Sequence, residues 1–333
     1  MQSNVKIFAG IDGGGTRTRL ALVRENGELL GYAAGGSCSF TDHGTDHARK
    51  ELSNLWRTAW EAAGMEPRAA SSLFLGLGSI LSPEDARINR DLAAKIGLAA
   101  PDSIFAENDV WNAHAGGLLG RHGILLISGT GSACFGRNSQ NHTWRAGGWG
   151  HLLNDVGSAH ALGHAAMVAA TRDADRRGPA TALTPLVCQT FGLTDLKELF
   201  RKVHHDGVSR AEVAALAPKV VALAGKGDVT AGLILAAEST GLVEMVTTVA
   251  RELKLEAPAL ALTGGLITNA AIYRRMFLER LTRMLPKFQL VEENLTPVFG
   301  AVLLACERNS GASPSAAFIQ TLHRTSANCL NQQ

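Results

Sequence analysis

Apolar and polar residues along the first 120 positions follow a pattern of three strands and then alternating helices and strands. Short apolar runs predict strands at 5–11, 18–23 and 28–34, and Asn26-Gly27 between the last two predicts a hairpin. Further periodicity predicts, in order, a helix at 46–63, a strand at 73–77, a helix at 83–96, a strand at 103–106 and a helix at 110–119. Such alternation predicts a mixed sheet covered by helices, an α/β unit.

The pattern then starts again. It predicts strands at 123–127, 133–137 and 142–145, helices over most of 157–253, a strand at 259–262, a helix to 285, a strand at 288–291 and a helix at 297–306. We interpret this as an internal duplication of a βββαβα unit, with a nucleotide held in a cleft between the halves. The predicted domains are 1–117 and 118–310, followed by a tail at 311–333. This tail is expected to be helical at 316–323 and frayed over its last ten residues.

Composition narrows the class of protein. The chain has 333 residues, 46% of them hydrophobic and 19% charged, which indicates a globular protein of about two domains. Its net charge of +2 is scattered without a basic stripe, so a nucleic-acid partner is not expected. No segment has the length of a signal-peptide core or an uninterrupted membrane span, so no membrane partner is expected either. The five cysteines form no CxxC pair, which favours a reducing compartment, the cytoplasm.

Glycine is in excess, with 36 residues, and a first cluster follows the first strand. Residues 12–16 read Asp-Gly-Gly-Gly-Thr, a turn whose backbone amides can surround an anion, while Asp12 can hold hydrated Mg²⁺. A plain hairpin is the alternative interpretation. A strand follows this turn rather than a helix, which disfavours a dinucleotide fingerprint, and the chain has no Walker A motif.

Two more glycine turns also follow apolar strands. Residues 128–132 read Ser-Gly-Thr-Gly-Ser, and residues 263–266 read Thr-Gly-Gly-Leu, where a flat backbone surface could take adenine and ribose. A plain strand-to-helix connection is the alternative for the third turn. The predicted ATP and phosphate ligands are Asp12, Gly14, Gly15, Thr16, Gly129, Thr130, Gly131, Gly264, Gly265 and Asn269.

Together with these turns, the stretch Gly-Gly-Trp-Gly-His at 147–151, continuing through Asp155, Gly157 and Ser158, carries a family resemblance. Over residues 5–306 the chain resembles the N-acetylglucosamine kinase family, within the BadF/BadG/BcrA/BcrD-type ATPases of the actin, hexokinase and heat-shock ATPase superfamily. That branch also includes glucosamine kinases and the activating ATPases of benzoyl-CoA reductase. The resemblance implies a two-domain actin-like ATPase (ribonuclease H-like) fold, ATP and Mg²⁺ as cofactors, a small-molecule sugar substrate and a homodimer.

Phosphoryl transfer to a sugar hydroxyl needs a carboxylate that accepts the hydroxyl proton. Asp109 is the candidate base because it follows the strand at 103–106, at the edge where ligands bind in open α/β sheets. Its alternative role is to cap the helix that begins at 110. Glu107 is the second candidate for the base.

The resemblance also implies the sugar ligands. Asp155 would hydrogen-bond sugar hydroxyls, although it could instead cap the helix from 157, and Ser39 stands where the family has asparagine, so the identity of the sugar stays open. The implied reaction is phosphorylation of N-acetyl-D-glucosamine at its 6-hydroxyl, with glucosamine or another hexose as alternatives. The predicted substrate ligands are Ser39, Asp109, Ser132, Ala133, Gly148, Trp149, Gly150 and Asp155.

Other features have weaker interpretations. His160 and His164 are one helical turn apart but lack the glutamate of the H-E-x-x-H zinc motif, which favours an ordinary helix face. Arg17 could face either phosphate or solvent.

Two rival functions are an ATPase that activates a partner redox enzyme, for which the cysteine spacing is unsuitable, and a catalytically idle sugar sensor, which intact Asp12 and Asp109 disfavour.

Overall fold

The computed structural model describes residues 5–153 and 155–330, without the side chains of 328–330. Its strands are β1 (Ile7–Gly13), β2 (Thr18–Arg24), β3 (Leu29–Gly35), β4 (Ser72–Leu77), β5 (Ile104–Glu107), β6 (Gly123–Ser128), β7 (Ser132–Arg137), β8 (Thr143–Gly147), β9 (Ala259–Thr263) and β10 (Gln289–Val291). Each coincides with a predicted strand to within two residues at either end.

The helices account for most of the remaining chain. They are α1 (Phe40–His43), α2 (Thr45–Ala62), α3 (Pro83–Ile96), α4 (Val110–Gly117), α5 (Ala159–Ala174), α6 (Leu183–Phe191), α7 (Leu199–Arg201), α8 (Arg210–Ala214), α9 (Ala217–Gly225), α10 (Val229–Glu252), α11 (Gly265–Asn269), α12 (Ala271–Met284), α13 (Pro297–Ser310) and α14 (Ala316–Leu330). Short 3-10 turns occupy Pro101–Ser103, His151–Leu153 and Leu196–Glu198, and a π turn occupies Lys202–Gly207.

The chain divides into two compact units. The first comprises Met1–Arg121 together with Glu292–Gln333, and the second comprises His122–Val291. The boundary near 120 is close to the predicted one. The end of the chain differs, because residues predicted to lie in the second domain and the tail belong to the first unit.

The first unit contains a five-stranded sheet in the order β3-β2-β1-β4-β5. The strands β1, β2 and β3 pair antiparallel, whereas β1, β4 and β5 pair parallel. Because parallel strands end at the same edge, Gly13, Leu77 and Glu107 place the residues that follow them along one side of the sheet. This edge carries the candidate site of the first unit.

The central strand β1 is buried on both faces, which explains why it reads as a continuous apolar run. Its alternate residues Ile7, Ala9 and Ile11 join the core beneath α2 and α3, and Phe8 joins a second core. Both faces of the sheet are therefore covered by helices, as the alternation predicted.

Helix α13 explains why the end of the chain belongs to the first unit. A Cβ on Gly10 of β1 would lie 2.6 Å from the backbone of Val298 and of Val302, and a Cβ on Gly300 would overlap the backbone of Asn112 in α4. Glycines at these positions let α13 lie directly against β1 and α4, in contacts that only the end of the chain can supply.

Helix α14 is longer than predicted. It continues beyond 323 to Leu330, and Phe318 and Leu322 are buried in the core beneath α13. The prediction that 324–330 would be frayed is wrong, because these residues prolong a helix already held by that apolar face. Residues 331–333, to which the same prediction applied, lie outside the described part of the chain.

The second unit repeats the first. Its sheet has the order β10-β9-β6-β7-β8, with β6, β7 and β8 antiparallel and β6, β9 and β10 parallel. Reversed, this is the order β8-β7-β6-β9-β10, which matches that of the first unit strand for strand. The predicted duplication is therefore confirmed.

Helix α10 forms much of the second core. Within the described ranges it is the one helix long and apolar enough to span a membrane by length and composition. Leu235, Leu242, Val246 and Val249 on this helix are fully buried, which is the environment of a core helix.

One predicted helix is divided. The region predicted as helical up to 285 consists of α11 and α12, because Ala270 leaves the helical region with φ −95° and ψ 81°. The break leaves Asn269 at the end of α11, close to the third glycine turn.

Candidate functional site

At the strand edge of the first unit, Asp12 is held by one amide group. The Nδ2 of Asn112 donates to Asp12 Oδ1 at 3.0 Å, to the carbonyl of Ile11 at 3.1 Å and to the carbonyl of Gly76 at 3.1 Å. A Cβ on Gly76 would overlap this amide, so β4 requires glycine here. Asn112 thereby joins β1, β4 and α4. The sequence reasoning missed Asn112, although an asparagine within an apolar helical stretch indicates a polar group that needs hydrogen-bond partners.

The pKa of Asp12 is raised. Burial is the main cause, and the neighbouring Asp109 carboxylate adds to it, while the Asn112 hydrogen bond and Arg19 act in the opposite direction. The Arg19 Nη1 lies 3.9 Å from Asp12 Oδ2. Two carboxylates thus interact at one edge of the sheet, an arrangement that a cation would stabilise.

These residues fit the Mg²⁺ implied by the resemblance. Over residues 5–153 and 155–330, no group of three or more histidine, cysteine, aspartate or glutamate side chains is placed to hold a metal. Mg²⁺ in nucleotide sites is commonly held by one or two carboxylates together with phosphate oxygens and water, so Asp12 alone suffices on the protein side.

We expect Asp12→Asn to stabilise the fold at neutral pH while it impairs metal-dependent activity. Because folding raises the pKa of Asp12, its stabilising contribution is present below the ordinary value of 3.8 and is lost as pH rises through the folded-state pKa. Asparagine avoids burying a charge, and it keeps the acceptor used by Asn112. If Asp12 holds Mg²⁺ as the resemblance implies, its loss would also cost several kcal/mol of transition-state stabilisation.

Thermal unfolding midpoints measured from pH 4 to pH 8 check this expectation. The difference in unfolding midpoint between the Asp12→Asn variant and the wild type should grow with pH. In Mg²⁺ titrations of activity, the variant should need a higher Mg²⁺ concentration than the wild type. A variant that is less stable than the wild type at pH 8 would contradict the assigned sign.

The first glycine turn is open. Its Gly14 N–H donates to the carbonyl of Arg17 at 3.0 Å, and residues 14–17 are exposed. Among the described residues, none comes within 4 Å of a Cβ built on Gly14 or Gly15. The Ser37 hydroxyl donates to the Gly14 carbonyl at 3.0 Å, which ties the segment after β3 to the turn. The exposed backbone can therefore receive an anionic ligand.

Asp109 stands at the start of α4, but Asn108 caps the helix. The Asn108 Oδ1 accepts the Val110 N–H at 3.2 Å, whereas Asp109 has helical φ and ψ and supplies no capping bond from its side chain. A Cβ on Gly78 would lie 3.1 Å from Asp109 Oδ2. The interpretation of Asp109 as a helix cap is wrong, and its carboxylate instead faces the segment that follows β4.

Glu107, the second candidate base, has different surroundings. Burial raises its pKa, and Arg308 and Arg90 oppose that shift. The Arg308 guanidinium lies 5.5 Å from the centre of the Phe105 ring. Glu107 thus interacts with cations of α13 and α3, whereas Asp109 interacts with Asp12.

Ser39 is buried at the end of the segment after β3. Its hydroxyl shares a 2.9 Å hydrogen bond with the Thr41 hydroxyl, and its N–H donates to Ser37 Oγ at 3.2 Å. Because Ser37 also contacts Gly14, Ser39 is linked to the first turn. Its role as a sugar ligand stays a prediction.

In the second unit, the second and third glycine turns are adjacent. A Cβ on Gly129 would lie 3.5 Å from Gly264 Cα, and a Cβ on Gly264 would lie 2.5 Å from the Ser128 carbonyl. Gly264 has φ +101°, a conformation that favours glycine. The second turn is closed by the Gly129 N–H, which donates to the Gly131 carbonyl at 2.9 Å.

Beside these two turns lies a cavity of about 450 Å³. Gly129, Thr130, Gly265 and Asn269, all predicted ATP ligands, form part of its wall. The rest includes Ala211, Ala214, Ala215, Ala217, Pro218 and Val221 from α8 and α9. A mostly apolar pocket with a few polar groups is suited to a nucleoside. The sequence reasoning missed the α8–α9 wall, whose signal is the density of alanine at 211–217.

Asp155 is buried beside the second turn, with 4% of its side chain exposed. Its Oδ1 accepts the Gly150 N–H at 2.9 Å, and its Oδ2 accepts a hydrogen bond from Arg210 Nη2 at 2.9 Å. Ser158 caps α5, since its hydroxyl accepts the Ala161 N–H at 3.1 Å. The helix-cap alternative for Asp155 is therefore wrong.

The other predicted sugar ligands have distinct environments. The Ser132 hydroxyl donates to the Val156 carbonyl at 2.6 Å and so joins β7 to the Asp155 segment. Ala133 follows it in β7 and is half-buried. The Gly148 carbonyl accepts a hydrogen bond from Arg145 Nη2 at 2.6 Å, and the Trp149 side chain is 76% exposed. Trp149 is thus available to a ligand.

Two further polar residues of the second unit converge on Gly157. Glu238 Oε2 accepts the Gly157 N–H at 2.6 Å, and the Tyr273 hydroxyl donates to the Gly157 carbonyl at 3.2 Å. Burial raises the pKa of Glu238 and of Tyr273. Sequence reasoning singled out none of these contacts, because Glu238 and Tyr273 lie on helices far from Gly157 in the chain.

Two sheets of the same strand order, each with a glycine turn after its first strand, define an α/β fold of the actin-like ATPase class, as predicted. The chain belongs to the BadF/BadG/BcrA/BcrD ATPase family, whose sequence model matches residues 9–305. This membership implies ATP as the nucleotide.

Named relatives extend the comparison. The chain is 30% identical over 303 residues to the N-acetylmuramic acid/N-acetylglucosamine kinase of Clostridium acetobutylicum, covering 90% of this chain and 98% of the relative. It is 27% identical over 312 residues to the N-acetyl-D-glucosamine kinase of Dictyostelium discoideum, with the same coverage. A solved structure of a proposed N-acetylglucosamine kinase from Chromobacterium violaceum is similar at a TM-score of 0.63 and 25% identity, covering 91% of this chain and 100% of that one.

Proposed function

We propose that this protein is an ATP- and Mg²⁺-dependent kinase that phosphorylates an amino sugar, N-acetyl-D-glucosamine at its 6-hydroxyl. The observation that carries the proposal is the interaction of Asp12 with Asp109 at one strand edge, beside an open glycine turn. One carboxylate can hold the metal while the other accepts a proton. The relatives named as kinases of N-acetylated sugars support the choice of substrate.

In the proposed reaction, the sugar hydroxyl oxygen forms a bond to the γ-phosphorus of ATP, and the bond from the γ-phosphorus to the β–γ bridging oxygen breaks. Asp109 accepts the hydroxyl proton, and ADP leaves with the bridging oxygen. Mg²⁺, when bound, neutralises phosphate charge. Asp12 would hold this ion, and the amides of Gly14 and Gly15 together with the Thr16 hydroxyl would bind phosphate oxygens.

The second unit would bind the nucleoside and the sugar. Its cavity would take the adenosine against α8 and α9, with Gly265 and Asn269 in its wall. Gly264 and the turn from Gly129 to Gly131 would lie beside the phosphates. Asp155 would accept sugar hydroxyls, with Gly148, Trp149 and Gly150 beside the ring. A carboxylate that must be satisfied by hydroxyls discriminates between sugars more strongly than apolar contact does.

The identity of the sugar is tested by measuring ADP release with Mg-ATP across N-acetylglucosamine, N-acetylmuramic acid, glucosamine, glucose and other hexoses. We expect the largest kcat/KM for N-acetylglucosamine, with the phosphate on its 6-oxygen by NMR. A larger kcat/KM for glucosamine or glucose would replace the proposed substrate, and no sugar-dependent ADP release at all would refute the kinase.

The second candidate function from the sequence is an ATPase that activates a redox enzyme. Such an ATPase requires cysteine thiolates that hold a shared cluster. Burial raises the pKa of the Cys38 thiol to about 11 and also raises that of Cys134. The raised pKa of both thiols disfavours the thiolate form, and we do not propose this function.

The proposed compartment is the cytoplasm, and the proposed assembly is a homodimer. The four cysteines with described side chains, Cys38, Cys134, Cys188 and Cys306, are free thiols, which agrees with a reducing environment. The homodimer is supported only by the family resemblance.

A further inference from the structure

Arg210 lies at the start of α8, where a capping box determines its position. The Glu212 N–H donates to Ser209 Oγ at 3.2 Å, and the Ser209 N–H donates to Glu212 Oε2 at 2.8 Å. Such reciprocal bonds define where a helix begins. The backbone of Arg210 is therefore held in place, directly before the Ala211 that lines the nucleoside cavity.

The guanidinium of Arg210 lies against the second glycine turn. A Cβ on Gly131 would overlap Arg210 Nη2 and would lie 2.8 Å from Asp155 Oδ2. The volume that a side chain at 131 would occupy is thus filled by the ion pair of Arg210 and Asp155. This explains why the second turn has glycine at 131 although its φ is not in the left-handed region.

The two members of the pair differ in exposure. The Asp155 side chain is 4% exposed and that of Arg210 is 40% exposed. In the part of the chain that the structure describes, Arg210 uses Nη2 for its hydrogen bond to Asp155, which leaves donors on Nε and Nη1. Asp155 therefore positions a guanidinium that still presents donors to solvent.

The order of groups in the second unit points to a ligand for these donors. The nucleoside cavity borders Gly129 and Thr130, the turn continues to Gly131, and Arg210 lies over Gly131. A phosphate chain that leaves the cavity along this turn would run from Thr130 toward the guanidinium over Gly131. Guanidinium binds phosphate in a fork geometry that an ammonium cannot reproduce.

We propose that Arg210 binds the γ-phosphate of ATP and so distinguishes ATP from ADP, a role that rests on the proposed function. Asp155 is the positioning residue that holds the guanidinium over Gly131. Binding of the γ-phosphate would draw Arg210 away from Asp155 Oδ2, and this oxygen would then be available to a sugar hydroxyl. The residue that recognises ATP thereby also prepares the carboxylate predicted to bind sugar.

The test compares Mg-AMPPNP and Mg-ADP binding by isothermal titration calorimetry, without sugar. We expect Arg210→Gln to weaken AMPPNP binding by roughly tenfold to a hundredfold and to leave ADP binding unchanged, since one charge-assisted hydrogen bond is lost. Arg210→Lys should give an intermediate loss and provides the measurement if the glutamine variant does not fold. Arg201→Gln, which changes a 79% exposed arginine in α7, is the matched control and should bind both nucleotides as the wild type does.

A second comparison separates the two partners. Asp155→Asn should reduce the preference for AMPPNP by less than Arg210→Gln does, because the guanidinium remains but loses the carboxylate that holds it, and it should raise the sugar KM in ADP-release assays. An equal loss of AMPPNP and ADP binding in Arg210→Gln, or no loss of either, would overturn the role of Arg210. Failure of the wild type to phosphorylate any sugar would refute the kinase proposal. The ratio of AMPPNP to ADP affinity would still decide whether Arg210 binds the γ-phosphate.

Discussion

Asp109→Asn is expected to lower sugar phosphorylation by about 10²–10⁴-fold, the contribution of a general base, while ATP binding stays close to that of the wild type. The amide keeps the shape of the side chain at the start of α4 but cannot accept the hydroxyl proton. Because Asn108 provides the cap of α4, the helix should be undisturbed. Coupled ADP-release kinetics with N-acetylglucosamine would measure the loss, and calorimetry with Mg-AMPPNP would measure binding.

Glu107→Gln is the matched control for this experiment. It removes the neighbouring carboxylate, which interacts with Arg308 and Arg90, and should leave turnover largely unchanged. If Glu107→Gln abolishes turnover and Asp109→Asn retains it, the base has been assigned to the wrong carboxylate.

The second large effect is expected from Gly264→Ala, which should destabilise the fold by about 2–6 kcal/mol and eliminate ATP binding. The new methyl group would lie 2.5 Å from the Ser128 carbonyl, at a backbone φ of +101°. Strain and overlap would together separate the second and third turns, which form one side of the cavity proposed to bind the nucleoside. Urea denaturation and nucleotide titration would measure the two consequences.

Gly227→Ala isolates the conformational part of this effect. Gly227 has a similar φ of +91°, but among the described residues no atom comes within 4 Å of its Cβ position. The Gly227→Ala variant should lose about 1–2 kcal/mol of unfolding free energy, the penalty for a side chain at positive φ, and should keep ATP binding. Equal losses of unfolding free energy in Gly264→Ala and Gly227→Ala would show that the contact with Ser128 contributes nothing to the destabilisation.

Much of this fold could be predicted from the sequence because its signals are local. Alternation, apolar runs and glycine turns identify the strands of both units, and α3 begins and ends at its predicted residues because Ser82 caps it and Gly97 ends it. The repeated order of a strand, a glycine turn and two further strands was sufficient to predict the duplication.

The remaining features depend on contacts between residues far apart in the chain. Asn112 hydrogen-bonds the carbonyls of Ile11 and Gly76, and Arg210 hydrogen-bonds Asp155. A periodic pattern of apolar residues does not predict such pairs. The helix-cap interpretations of Asp109 and Asp155 were wrong for a different reason. In each case a neighbouring residue, Asn108 or Ser158, supplies the cap, and this choice depends on side-chain geometry.

The position of α13 has a consequence for biosynthesis. The second unit is continuous in the chain, so all of its residues have left the ribosome once Val291 has emerged. The sheet made from the earliest residues still lacks the helix that covers Gly10 of its central strand. The N-terminal sheet, translated first, is therefore the part of the protein whose core is completed last.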